Sequence, residues 1–265
     1  MNCIKADLPR ELKELKIEIF SDLHIGDKHC DFKAIQERIR KVKDNSDTYC
    51  IMVGDIIDNP TKTSVGDTYE ETLSPMQQIK TAISMFDPIK DKILGGVGGN
   101  HEFRTYKTEG IDLGYFMFSE FRIPDRYFRD GALLFLRFGA MSKGMKETSG
   151  SGEIRKICYT MYLNHGSSGG RTPGAKANGL QRQGQIVNAD ICVVGHTHMP
   201  MVFKEISNEI DYPNSTTREK ETVYVNASST LGWGGYSERM GMKPSSNASP
   251  IIVLNGAKKD IRVTL

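Results

Sequence analysis

Five short clusters along the chain carry the side chains that bind cations and move protons: Asp22-x-His24, Gly54-Asp55-x-x-Asp58, Gly99-Asn100-His101-Glu102, His165-Gly166 and Gly195-His196-x-His198. Their donors are carboxylate, imidazole and one amide. Five of the six histidines fall inside the clusters, and only His29 lies elsewhere. No thiolate accompanies them. Such a set suits manganese, iron or zinc and argues against a structural zinc site built on cysteine. There are donors enough for two ions if one carboxylate bridges them, an arrangement that activates water and clamps an in-line displacement.

A lone D-x-H or H-x-H arises by chance, and one histidine at a strand end is more often hydrogen-bonded structure than ligand. Position changes that reading, because each cluster closes an apolar, strand-like run: KIEIFSDLH, TYCIMVGD, KILGGVGGNHE, KICYTMYLNHG and DICVVGHTH. Helical patterns fall between them. DFKAIQERIRKVK places Phe32, Ile35, Ile39 and Val42 at helical spacing behind Asp31, and SPMQQIKTAISMFDPI has Ser74 placed to cap a helix opening on Pro75. KILGGVGGNHE reads as a strand running into a loop, GIDLGYFMFSEF as a short helix, and a glycine-rich loop from Gly166 leads into another helix that ends near Val187. Residues 60–74 read as a loop, ALLFLRF as a strand, and MVFKEI, TVYVNA, PIIVL and DIRVTL as a strand-rich C-terminal third.

Alternating strands and helices predict an α/β fold, and ligands of open α/β sheets gather beyond the carboxyl ends of the strands. One shared site is therefore expected rather than five. In extended backbone, residues i and i+2 project to one side, so Asp22 with His24, and His196 with His198, are each expected to present paired ligands. Glycines at 54, 99, 166 and 195 let the chain turn sharply out of its strands. No repeat or linker divides the chain, and residues 1–265 are expected to form one domain.

A net charge of +2 sets up no strong global field, which disfavours a dedicated nucleic-acid binder or a membrane-surface protein. No apolar run approaches a bilayer span. The N-terminal segment is too charged for a secretory signal, and the five cysteines form no CxxC pair. Cys50, Cys158 and Cys192 lie in apolar runs and are expected as reduced, buried thiols, consistent with a cytoplasmic location.

Taken in order from Asp22 to His198, the blocks D-x-H, G-D-x-x-D, G-N-H-E, H and G-H-x-H resemble the calcineurin-like metallophosphoesterase family. The resemblance implies a four-layer α/β/β/α sandwich of two mixed β-sheets flanked by helices. It also implies two divalent ions, manganese first, with iron, zinc and nickel as the other candidates. Asp22, His24, Asp55 and His198 would hold one ion, and Asp55, Asn100, His165 and His196 the other, with Asp55 bridging. A metal-bridging hydroxide would attack phosphorus, His101 would protonate the leaving alkoxide, and Asp58 would orient His101.

The implied substrate is a phosphomonoester or phosphodiester, with nucleotides and nucleic acids among the candidates. GDIIDN lacks the arginine that follows the second Asp in the Ser/Thr protein phosphatases, whereas GNHEFR shares their arginine two residues after Glu, here Arg104, a candidate phosphate contact. The lipid A pathway hydrolases carry N-R-D where this chain has N-H-E. The segment YSERMGMKP resembles one found in phage- and prophage-encoded members. A basic loop and helix with Arg171, Lys176 and Arg182 is read evenly as a phosphate cradle or as a solvated face. Lys143 and Lys146 are read as surface charge, and Trp233, Tyr236 and Arg239 as packing in preference to base stacking. An SbcD-type DNA nuclease is the enzymatic alternative. A non-catalytic interaction scaffold is the alternative of another class, and the complete ligand set argues against it.

Overall fold

Apolar strands that end in polar turns build two facing sheets. The computed structural model describes residues 1–9, 11–61, 64, 71–139, 157–167 and 169–265. Its first half runs β1 (Cys3–Asp7), β2 (Glu14–Phe20), α1 (Phe32–Asp44), β3 (Thr48–Val53), α2 (Pro75–Phe86), β4 (Ile93–Val97), α3 (Asn100–Glu109) and α4 (Leu113–Glu120). Then come β5 (Tyr127–Phe128), β6 (Ala132–Phe138), β7 (Ile157–Asn164), α5 (Pro173–Gly184), β8 (Ile191–Val194), β9 (Met201–Asp211) and β10 (Thr216–Asn226). A short α6 (Tyr236–Arg239) precedes β11 (Ile251–Asn255) and β12 (Ile261–Thr264).

One six-stranded sheet has the order β1-β6-β7-β8-β10-β9 and the other β12-β11-β2-β3-β4-β5. Both are mixed. The parallel strands β2, β3, β4 and β5 lie side by side in the second sheet, and β7, β8 and β10 in the first. In β3 the alternation is strict: Ile51 and Val53 enter the core between the sheets, while Cys50 and Met52 face the layer of helices. In β8, Ile191 and Val193 face the other sheet, and Cys192 and Val194 pack with Leu180 of α5. Three apolar layers thus separate four layers of secondary structure, the expected α/β/β/α sandwich.

The helices begin where their sequences allow. Asp31 caps α1 by accepting from Ala34 N at 2.9 Å, and Ile35, Ile39 and Val42 form its buried stripe. At α2, Gln77 Oε1 accepts from Ser74 N at 2.9 Å, and Pro75 opens the helix. Arg38 of α1 reaches down onto β2, where its Nε donates to the buried Glu18 carboxylate at 2.6 Å. Its guanidinium also donates to the Ile19 carbonyl and lies 4.7 Å over the Phe20 ring.

Two expectations need correction. Cys158 is exposed, because it falls on the outer face of β7, whose Tyr159, Met161 and Leu163 point into the core. Cys50 and Cys192 are buried, and all five thiols are free. The segment after β4 is no loop either, since Asn100, His101 and Glu102 form the first turn of α3. Lys143 and Lys146 lie outside the described residues. Among the described residues no helix is long and apolar enough to cross a membrane.

Candidate metal centre

The clusters converge because every strand carrying one ends at the same edge of the sandwich. β2, β3 and β4 of one sheet deliver Asp22 and His24, Asp55 and Asp58, and Asn100 and His101. β7 and β8 of the other deliver His165, then His196 and His198. Asp22, His24, Asp55, His196 and His198 have φ of 51°, 49°, 51°, 67° and 55°. The i, i+2 pairs are therefore brought together by left-handed backbone and not by extended strand, which corrects the geometric expectation. Asp, Asn and His tolerate that region better than most residues, yet each such position still costs on the order of 1–3 kcal/mol. Gly54 and Gly99 meet back to back: a Cβ on Gly99 would stand 2.1 Å from Asp55 Oδ1, and one on Gly54 2.6 Å from the Gly99 Cα.

Four groups of donors result among the described residues, and two of them hold the expected ligands. Asp22, His24 and His198 present ligand atoms within 4.8 Å of one another, and so do Asp55, His165 and His196. In the first group, His198 Nε2 lies 3.2 Å from Asp22 Oδ1 and 3.2 Å from His24 Nε2. In the second, Asn100 Oδ1 stands 3.1 Å from His165 Nε2 and 2.8 Å from His196 Nδ1, and Asp55 Oδ2 is 3.1 Å from His165 Nε2. The far nitrogens are anchored: His165 Nδ1 to the Val53 carbonyl at 2.7 Å and His24 Nδ1 to Asp58 Oδ1 at 2.8 Å. Such contacts fix ring orientation and leave Nε2 facing the site.

The electrostatics leave room for cations. Asp22 and Asp55 are 0% and 1% exposed, and among the described residues no lysine or arginine pairs with either. Burial pushes both carboxyls up, but His198 beside Asp22, and His165 with His101 beside Asp55, outweigh it and hold both below the usual range. His165 is raised to about 10, burial opposing and the Asp55 charge prevailing. His24 and His196 are pulled down, by burial first and then by the neighbouring imidazoles of His101 and His165. Two buried carboxylates, oriented ring nitrogens and an amide oxygen, without thiolate, are a donor set that fits divalent ions of the manganese–zinc series.

His101 stands between the donors and Asp58. Its Nδ1 is 2.6 Å from the Asp58 carbonyl and 3.2 Å from Asp58 Oδ1, and its Nε2 is 3.8 Å from Asp55 Oδ2. Asp58 is shared, since the same Oδ1 meets His24. Burial raises the Asp58 carboxyl, but hydrogen bonds from His101 and His24 drive it far below its usual value. For His101, burial lowers and Asp55 and Asp58 raise, with a net rise. Arg104 lies against this pair: Nη1 donates to the Asp58 carbonyl at 3.0 Å, and Nη2 is 2.9 Å from His101 Nε2.

Several residues that position the site had been given no role. Glu102, 3% exposed, accepts from Gly99 N at 2.9 Å, Asp55 N at 3.0 Å, Ile56 N at 2.8 Å and Ile57 N at 3.3 Å, binding the β3 and β4 turns together. Burial and the nearby Asp55 raise its pKa, while the amides aimed at it favour the charged form. Asn59 donates to the His101 carbonyl at 2.7 Å, and Ser21 Oγ to Asp22 Oδ2 at 2.5 Å. A glutamate three residues after Gly99 is a helix-start pattern and was the available signal for Glu102. Nothing local marked Asn59 or Ser21.

The basic loop divides. Lys176 donates to the Thr197 carbonyl at 2.8 Å, between His196 and His198, so it braces that turn, and burial lowers its pKa. Arg171 and Arg182 are exposed, Arg171 just ahead of α5 and Arg182 in its last turn. Trp233, half-exposed, donates from Nε1 to the Met242 carbonyl at 2.7 Å. Tyr236 and Arg239 lie on α6, and the side chain of Tyr236 lies outside the described parts.

Known structures align along the chain at low identity. Vacuolar protein sorting 29 from Cryptosporidium parvum is 12% identical over 95% of this chain and 97% of that one, with a TM-score of 0.46. A predicted phosphoesterase from Streptococcus pneumoniae is 12% identical over 95% and 97%, with a TM-score of 0.35. NAD nucleotidase from Haemophilus influenzae is 13% identical over 95% of this chain and 49% of that one, with a TM-score of 0.40. No curated protein matches the sequence. The family model for calcineurin-like phosphoesterases matches residues 15–200, most of the chain and every donor cluster, and the chain belongs to that family.

Proposed function

We propose that this chain is a hydrolase that cleaves a phosphate ester with two divalent cations, manganese foremost, and with His101 as the proton donor. One observation carries the reading: two buried carboxylates and four imidazoles converge in two adjoining groups, and among the described residues no lysine or arginine pairs with either carboxylate. Asp22, His24 and His198 would hold one ion, Asn100, His165 and His196 the other, and Asp55 would bridge. When bound, the ions supply an activated water and neutralise phosphoryl charge.

The residues of the chain do the rest. The Val53 carbonyl and Asp58 hold the rings of His165 and His24 in register. His101 has Nδ1 engaged at Asp58, so the proton it delivers to a leaving oxygen leaves from Nε2, the nitrogen that faces Asp55. That nitrogen accepts from Arg104 in the present arrangement, and carrying a proton there requires the guanidinium to turn away. An anionic phosphate nearby would draw it off.

A metal-reconstituted panel tests the reading, comparing mono-aryl and bis-aryl phosphates with a chelator control and with metal analysis of the protein. Hydrolysis that needs metal, with about two ions per chain, is expected. Asp55→Asn loses metal and turnover together, while His101→Asn keeps metal and loses turnover of an alkyl ester. Full activity in chelator, or an active His101→Asn on an alkyl phosphate, would sink it. A scaffold leaves the buried carboxylates without a purpose.

A further inference from the structure

Beside Asn100 lies a layer of π surface that neither the core nor the proton donor uses. Asn100 and Phe103 are three residues apart on α3, so they are neighbours on one helix face, about 5–6 Å between Cβ atoms. Phe103 is 41% exposed despite its apolar ring. It does not stand alone: Tyr106 stacks on it with ring centroids 5.6 Å apart and planes 26° from parallel. The Arg129 guanidinium closes the layer, 4.0 Å from the Tyr106 centroid and 5.7 Å from that of Phe103.

The layer is built into the frame of the site. The Arg129 carbonyl accepts from Gly98 N at 3.1 Å, in the turn that leads to Asn100, and the Arg129 side chain is held by Asp130 at 3.2 Å. Ring and cation are thus placed before any ligand arrives, which lowers the cost of ordering them. A planar, electron-poor or polarisable group is what such a layer receives, because stacking and cation–π attraction act on a π face whatever its edge groups. An aliphatic chain would gain neither.

We infer that Phe103, backed by Tyr106 and Arg129, stacks the nucleobase of a substrate whose phosphate lies at the Asp55–Asn100–His165–His196 donors. The substrates would then be nucleotide phosphoesters, with the sugar spanning the short distance from Asn100 to Phe103. This inference rests on the phosphoesterase reading and narrows it. Phe103 selects the substrate and takes no part in bond cleavage.

The test uses 2-aminopurine riboside 5′-monophosphate, whose fluorescence is quenched on stacking, mixed in a stopped flow with zinc-loaded protein so that binding is read ahead of turnover and by a metal that is not itself a quencher. Saturable quenching is expected, with AMP displacing the probe at about tenfold lower concentration than ribose 5-phosphate, which lacks a base. Phe103→Ala abolishes the quench and the tenfold advantage, and Phe103→Leu, which keeps apolar volume without a π face, does the same. Melting curves of both variants separate this from unfolding: a purely bracing role moves the melt and leaves the AMP to ribose 5-phosphate ratio in place, which overturns the inference. Equal displacement by the two competitors in the unaltered protein overturns it as well. Stacking without hydrolysis of any ester would sink the phosphoesterase reading and with it the claim that the stacked nucleotide is a substrate, whereas hydrolysis of aryl phosphates with no base preference would sink only this inference.

Discussion

At His101 the two ring nitrogens have different neighbours, and that difference makes the group testable. Nδ1 is fixed at Asp58, while Nε2 meets the Arg104 cation. Burial disfavours a proton on the ring and Arg104 opposes it, but Asp55 and Asp58 prevail and the pKa rises. In the metal-loaded enzyme the bound cations add to the Arg104 opposition, and a rate that needs this proton falls as pH climbs through the His101 value. Arg104→Gln removes an opposing charge, so the alkaline limb of kcat for an alkyl phosphate should move upward, as read from a pH–rate profile; a limb that stays put would separate His101 from proton delivery. His165 offers a second measurement. Its folded value of about 10 exceeds the unfolded value of about 6.5, so in metal-free protein it contributes stability fully below about pH 6.5 and loses it as pH rises through 10. A ligating imidazole must shed that proton. Metal addition at about pH 8 in weak buffer should acidify the solution, and by less in His165→Asn.

At the scale of elements, a buried ion pair helps to join α1 to β2. Removing Arg38 leaves Glu18 charged and unpaired between helix and sheet, which should cost about 3–5 kcal/mol in urea unfolding of Arg38→Met. The Arg38→Met, Glu18→Leu double variant should recover most of that loss. The turn after β4 is equally exacting: Gly99→Ala places a methyl against Asp55 Oδ1 and should lower metal loading together with thermal stability. These elements were unequally legible in sequence. β3 and β8 are buried on both faces and read as unbroken apolar runs, and α1 showed its Ile35–Ile39–Val42 stripe. α3 was hidden behind two glycines and a polar first turn. β9 and β10 run to Asp211 and Thr216, well past the apolar MVF and VYV, because their outer halves pair with each other beyond the core and carry Glu, Lys and Arg where a pattern search expects alternation. β1 is a five-residue edge strand whose partner β6 lies far along the chain, so no local signal exists for it.

For the whole molecule, the layered architecture and the meeting of the five clusters were legible because strand ends and donor residues coincide in the sequence. The left-handed backbone at Asp22, His24, Asp55, His196 and His198 was not, since it depends on contacts between distant turns such as His196 N with Asp22 Oδ1 at 3.0 Å. The two-sheet origin of the donors has a consequence for durability. Asp22 and His24 belong to one sheet and His198 to the other; Asp55 and Asn100 belong to one and His165 and His196 to the other. Each bound ion would act as a rivet through the sandwich, and the sheets could not part without breaking its coordination. Ion binding at a hundred times its dissociation constant adds about 2.7 kcal/mol per site. The melting temperature should therefore climb with free manganese, and refolded protein stripped by chelator should open first along this edge, where hydrogen exchange would report fast amides in the turns after β2, β3 and β8.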